Sequence, residues 1–285
     1  MRDQQKIVWL ASYPKSGNTW FRIFLTNLLR DQDKPANINE LHRTPIASSR
    51  SMFDEVSGLP SSDLTPEEID TLRPEIYRQI ASDSGETVFH KVHDAYRLLP
   101  NGDPLFPPEI TRAVIYFIRN PLDVAISFAH HSGTTIDRMI EGMNNPTYTF
   151  CSKNTRLHNQ LRQQLSTWSG HVKSWTDQKN MPVIILKYEN MLKNPLDTFK
   201  KAVSFVNLEV SDKKIEKSLC FSRLEELQKQ EEKNGFREKS PGSASFFRKG
   251  TTGEWKTVLT KQQMKSLVEV HVDTMKKYGY WPERE

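Results

Sequence analysis

Four short apolar runs limit what this chain can fold into. Ile7 to Ser12, Thr87 to Val92, Ala113 to Arg119 and Pro182 to Tyr188 are nearly unbroken and rich in Val, Ile and aromatic residues. Continuous patterning, rather than alternation, is what a strand covered on both faces requires. The intervals carry helical spacing. Thr19 to Arg30 places Trp20, Ile23, Phe24, Asn27 and Leu28 on one periodic stripe, and Pro121 to His131 opens with a proline suited to a first turn. Thr155 to Asp177 and Lys261 to Lys277 are longer amphipathic segments, predicted as helices. Strands alternating with helices predict an α/β fold: a central parallel sheet, helices on both faces, and right-handed crossovers in three layers.

Two stretches interrupt the pattern. Residues 31–66 are rich in Pro, Ser, Asn and Asp, and residues 234–253 carry Gly235, Gly242, Gly250 and Gly253 among Ser, Lys and Arg. Long irregular segments in a compact enzyme serve more often as binding loops than as linkers. With 285 residues the chain has room for one large domain or two small ones, on a prior of roughly 150 residues each. No boundary or repeat divides it, so residues 1–285 read as a single domain.

Composition removes several classes. A 36% hydrophobic share supplies enough core material to exclude wholesale disorder. Two cysteines, Cys151 and Cys220, are too few for a disulfide scaffold or a Cys-rich zinc module, and they fit a reducing compartment. No apolar run approaches the ~20 residues of a membrane helix. Arg2, Asp3 and Lys6 precede a run too short for a secretory signal, so the expectation is a cytoplasmic protein with no membrane partner. The net charge of +5 is too small to indicate nucleic acid as a partner; it fits a solvated surface and a small anionic ligand equally well. The eight histidines show no metal-ligand spacing, so no metal is expected.

The first strand runs into Ser12-Tyr13-Pro14-Lys15-Ser16-Gly17-Asn18-Thr19-Trp20, which opens the first helix. Backbone N–H groups of Ser16 to Thr19 at a helix N-terminus attract an anion. Gly17 permits close approach of backbone to ligand, Lys15 adds a point charge, and Ser16 and Thr19 add hydroxyls. An ordinary strand–helix turn with an incidental lysine is the plainer alternative. The segment is P-loop-like, yet it lacks G-x-x-x-x-G-K-[ST], which counts against an ATPase or GTPase.

Three segments together carry a resemblance: Tyr13 to Trp20; Arg119-Asn120-Pro121-Leu122-Asp123-Val124-Ala125-Ile126-Ser127; and Arg248-Lys249-Gly250-Thr251-Thr252-Gly253-Glu254-Trp255-Lys256. In this order, across residues 7 to about 256, they resemble the signatures of the cytosolic-type sulfotransferases. The resemblance implies a P-loop-like, nucleotide-kinase-like fold. It also implies transfer of a sulfuryl group from 3′-phosphoadenosine 5′-phosphosulfate (PAPS) to an acceptor, releasing PAP.

For the nucleotide it implies Lys15, Ser16, Gly17, Asn18 and Thr19 at the 5′ end, with Arg119, Ser127, Arg248, Lys249 and the Gly250 backbone on the 3′-phosphate. An Arg fork with a hydroxyl makes a good phosphate clamp. Trp20, Tyr188, Phe221 and Phe246 are similar to the aromatics around the adenine. Cys220 stands where a serine usually contacts the 3′-phosphate, Asn18 where threonine is more familiar, and Glu254 where aspartate is.

In Phe89-His90-Lys91-Val92-His93-Asp94, Lys91 and His93 are two apart at a strand end and share a face. By the resemblance His93 is the general base, Lys91 faces the moving sulfonate, and Lys15 meets the charge on the departing oxygen, with Ser127 restraining Lys15 beforehand. His90, on the opposite face, reads as structural. The acceptor, a small molecule offering a hydroxyl or less readily an amine, is expected against the variable segments 31–80, 130–152 and 234–253. These supply Phe53, His130, His131, Met139, Met143, Tyr148 and Phe150; the polar residues Asp54, Asp94 and Asp137 suit instead a cationic or polyhydroxylated acceptor. The competing readings are a P-loop kinase or nucleotide hydrolase, and a catalytically silent PAP/PAPS-binding protein. The resemblance is compatible with a monomer or a homodimer.

Overall fold

In a computed structural model, residues 5–152 and 157–282 are described. In chain order the elements are β1 (Ile7–Ser12), α1 (Asn18–Arg30), α2 (Arg50–Ser57), α3 (Pro66–Asp83), β2 (Val88–Val92), β3 (Thr111–Ile118), α4 (Pro121–Ser132), α5 (Ile136–Asn144), β4 (Thr149–Phe150), β5 (Gln163–Gln164), α6 (Trp168–Thr176), β6 (Val183–Lys187), α7 (Tyr188–Lys193), α8 (Pro195–Phe205), α9 (Asp212–Phe221), α10 (Leu224–Asn234), α11 (Trp255–Val258) and α12 (Lys261–Lys277). The four apolar runs form one parallel sheet in the order β2-β1-β3-β6.

The continuous patterning has the cause inferred from it. Every residue of β1 is buried. Ile7, Trp9 and Ala11 pack on one side with residues of α3, α4, α6 and α12, while Val8 and Leu10 pack on the other with residues of α1, α8 and α9. Helices therefore cover both faces, in three layers. Because β2 and β3 flank β1 on opposite sides, the chain leaves β1 in one direction and returns on the other. A crevice opens at the carboxyl ends of the strands, where α/β sheets bind ligands.

Two expectations need correction. The helix expected over Thr155 to Asp177 exists only as α6. Its predicted start, Thr155, lies outside the described residues, and from Leu157 to Thr167 the chain is irregular apart from β5, which pairs antiparallel with β4. Within the segment read as irregular, 31–66, Arg50–Ser57 is helical, started by the Ser49 side chain accepting from the Met52 N–H. Among the described residues no helix is long and apolar enough to cross a membrane.

Candidate active site

Four strand ends converge on one cleft of about 1460 Å³, lined by Lys15 after β1, Lys91 and His93 at the end of β2, Arg119 after β3 and Tyr188 after β6. Gly17 caps α1 with φ 98°, and a Cβ on it would lie 2.8 Å from Cδ2 of Tyr188. Only glycine fits this position without strain or displacement.

Lys15 also has positive φ, 68°. Its ammonium lies 4.0 Å from the centroid of the Phe246 ring. Burial first, then the charges of Lys91 and Arg119, bring its pKa down to about 7. The Arg119 guanidinium donates to the backbone oxygens of Lys15 (3.1 Å) and Thr251 (3.0 Å), tying the first loop to the third signature segment. Its carbon sits 4.3 Å from the Tyr188 ring centroid, and its Nε is buried without a partner. Among the described residues Arg119 meets no carboxylate. Asn18 is turned inward: its Nδ2 donates to the Leu10 carbonyl (2.7 Å) and to Ser12 Oγ (3.2 Å), so the amide nominated for phosphate is engaged with β1.

His93 is held through Nδ1, 2.8 Å from the Ser12 carbonyl oxygen. A carbonyl only accepts, so Nδ1 carries the proton and Nε2 carries the lone pair. Burial and the nearby Lys91 ammonium push its pKa well below the usual histidine range, which keeps the ring neutral. The His93 carbonyl in turn accepts from His171 Nε2 at 3.0 Å, and His171 Nδ1 accepts from the Tyr116 hydroxyl at 2.8 Å. His90 is buried on the other side of β2 against Trp9, with ring centroids 5.9 Å apart.

Lys91 donates to Glu238 Oε2 at 2.8 Å, and Arg22 donates to Glu238 Oε1 at 2.6 Å. Neither Glu238 nor Arg22 stands out in the sequence. Glu238 is one acidic residue in a Gly/Ser/Lys/Arg-rich segment, and Arg22 looks like a helix-surface residue. On the other wall Arg248 holds Glu254 with both terminal nitrogens, Lys249 donates to the same carboxylate at 2.8 Å, and Glu254 is thereby held down to about 2.

Most nominated residues meet in the cleft: Thr19, Trp20, Ser127, Phe246 and Gly250 line it together with those above. Ser16 does not line it, although its hydroxyl is buried without a partner. Cys220 and Phe221 also fall outside the lining; Cys220 is exposed, and the wall there is formed by Ser222, Arg223 and Leu224. Of the acceptor candidates, His131, Met139, Tyr148 and Phe150 line the cleft, whereas His130 does not. Phe53 and Met143 are buried in the core. Asp94 is paired with Arg73 at 2.7 Å in the interior, Asp54 accepts from the Ser61 N–H, and Asp137 accepts from Gln263, so none of the three lines the cleft.

The family model described as the sulfotransferase domain matches residues 5–279. Luciferin sulfotransferase of Photinus pyralis is 26% identical over 274 residues, covering 92% of this chain and 69% of its own. Sulfotransferase 1A1 of Canis lupus familiaris is 24% identical, covering 89% and 78%. Among solved structures, mouse sulfotransferase SULT7A1 complexed with PAP superposes with a TM-score of 0.60 at 20% identity, over 95% of this chain and 85% of that one. Retinol dehydratase in complex with androsterone and PAP gives 0.62 at 19%, over 95% and 81%. At such identities the structural likeness concerns the fold.

Proposed function

The chain belongs to the sulfotransferase domain family as a PAPS-dependent enzyme, and from that premise we propose that it transfers the sulfuryl group to a hydroxyl of a small-molecule acceptor, with His93 as general base. We read residues 1–285 as one domain carrying this activity. The observation that carries the proposal is the His93 imidazole, neutral and locked with its Nε2 lone pair available, in the same cleft as Lys15 and Lys91.

The residues present fit the nucleotide. Lys15, Arg119, Arg248 and Lys249 line one cleft, and the orphaned Nε of Arg119 awaits an acceptor. When bound, PAPS supplies the sulfuryl group and the phosphate oxygen that leaves with PAP. His93 Nε2 accepts the proton of the acceptor hydroxyl as the acceptor oxygen bonds to sulfur. Lys91 faces the negative charge on the sulfonate oxygens, and Lys15 meets the charge left on the departing oxygen. A hydroxyl is favoured over an amine because the cleft offers an ammonium little free negative charge. Of its carboxylates, Glu238 and Glu254 are each paired with two cations, and Glu225 is exposed at the start of α10. The acceptor wall of Met139, Tyr148 and Phe150 suits a small aromatic or apolar body.

PAP should raise the melting temperature more than AMP or ATP, since only PAP fills both anion positions. His93→Ala should retain PAP binding and lose transfer by at least about 100-fold. Stabilisation by ATP with Mg²⁺ but not by PAP, or full turnover in His93→Ala, would each overturn the corresponding part of the proposal.

A further inference from the structure

Arg22 is almost completely buried in α1, and its position is set from the interior: Nε and Nη2 donate to the Thr44 carbonyl at 2.9 and 2.6 Å. Its remaining arm reaches Glu238, whose other oxygen accepts from Lys91. Two residues before Glu238 the chain is anchored by Phe236, buried in the apolar cluster with Ile23, Ile38 and Phe247. A rigid relay therefore runs from Thr44 through Arg22 and Glu238 to the lysine at the end of β2. We propose that Glu238 is a positioning residue for sulfuryl transfer: anchored by Arg22, its carboxylate fixes the place and the charge of the Lys91 ammonium beside His93. The proposal rests on the reading of Lys91 given above and extends it to a residue of the 234–253 segment that touches Lys91 directly.

Burial works against the charged form of the Lys91 ammonium, and the closest compensating charge is this carboxylate. The other groups that bear on Lys91 are Arg22, Cys151, Lys15, His93 and His131. Of these only Cys151 acts in the same direction as Glu238. An ammonium has three N–H donors, so the bond to Glu238 leaves two for an oxyanion.

The test is Glu238→Gln, a change of nearly constant shape, beside Glu238→Asp. Turnover with PAPS and acceptor saturating should fall by about 10- to 100-fold in Glu238→Gln, while PAP affinity changes by less than about 3-fold. Without the carboxylate Lys91 loses its proton at lower pH. The alkaline limb of kcat should therefore move to lower pH in Glu238→Gln and return toward its original position in Glu238→Asp. NMR of 13C-labelled lysines, with Lys91 assigned through Lys91→Arg, reads the same quantity without turnover: Lys91 should keep its proton at pH 7.5 in the unaltered protein. An unmoved alkaline limb with undiminished kcat in Glu238→Gln overturns the proposal. So does a Lys91 already neutral at pH 7.5 with Glu238 in place, a result that stands even if the variants fold poorly. Absence of any transfer from PAPS by the unaltered protein would instead sink the underlying functional reading.

Discussion

At the scale of single residues, Gly17 and Lys15 show how a short loop is committed to its task. Gly17 holds φ 98° directly under Tyr188, and Lys15 accepts an unfavourable positive φ of its own. For a residue other than glycine, such as Lys15, that conformation costs on the order of 1–3 kcal/mol and persists where the surroundings overdetermine it. Here the Arg119 bond to the Lys15 carbonyl and the Phe246 ring against its ammonium do so. Gly17→Ala should lower stability by about 1–3 kcal/mol and weaken PAP binding by more than about 10-fold, because Tyr188 must move with it. Calorimetric titration with PAP and a thermal melt check this, and unchanged affinity would show that the loop tolerates the methyl. The importance of Gly17 was readable from its place between a strand and a helix. The inward turn of the Asn18 amide was not, because it depends on the position of Leu10 and Ser12 in the folded strand.

At the scale of elements, the third signature segment is fastened to α4 rather than left as a free loop. Asp123, buried in the first turn of α4, accepts from the backbone N–H groups of Gly253 (2.8 Å) and Trp255 (3.1 Å). Asp123→Ala removes a charged acceptor from two donors, a loss of about 2–3 kcal/mol. Since Arg248, Lys249 and Gly250 stand just ahead of those donors, PAP affinity should fall by roughly 10-fold as well. A variant that lost stability but bound PAP normally would separate the fastening from the site.

The failed helix teaches the opposite lesson about elements. Leu157, Leu161, Leu165 and Trp168 follow one another at helical spacing, but Leu161 is buried with Phe53, Ile69 and Ile76, while Leu165 is buried in the main core. Extended pairing takes the backbone there instead, with the Leu161 N–H donating to the Ser48 carbonyl and the Leu165 N–H to the Tyr148 carbonyl. Tertiary partners overrode the local period. α12, by contrast, spans Lys261–Lys277, the bounds that its periodicity predicts.

For the molecule as a whole, buried neutral histidines make stability depend on pH. His90, His171 and His271 are each at most 2% exposed, and burial as the leading cause brings each down to about 4. In the unfolded chain a histidine titrates near 6.5. Between those values the unfolded chain binds protons that the folded one does not, so the contribution is complete above about pH 6.5 and is lost as pH falls toward 4. Each ring accounts for on the order of 3 kcal/mol across that window. Thermal melts from pH 7 to 4 should show Tm falling steeply below 6.5, with proton uptake on unfolding at pH 5. A flat Tm between 6.5 and 4.5 would refute this.

The sequence by itself determined the parallel sheet and the family and singled out the loop after the first strand, because each is carried by short segments whose pattern is complete within a few residues. Only the tertiary structure decided which acceptors the buried cations meet. Arg119 reaches the Thr251 carbonyl across 132 positions, and Lys91 reaches Glu238 across 147. No local preference encodes such pairs. They exist because the crevice at the strand ends draws distant loops together, and because a charge buried there needs a partner wherever the chain can supply one.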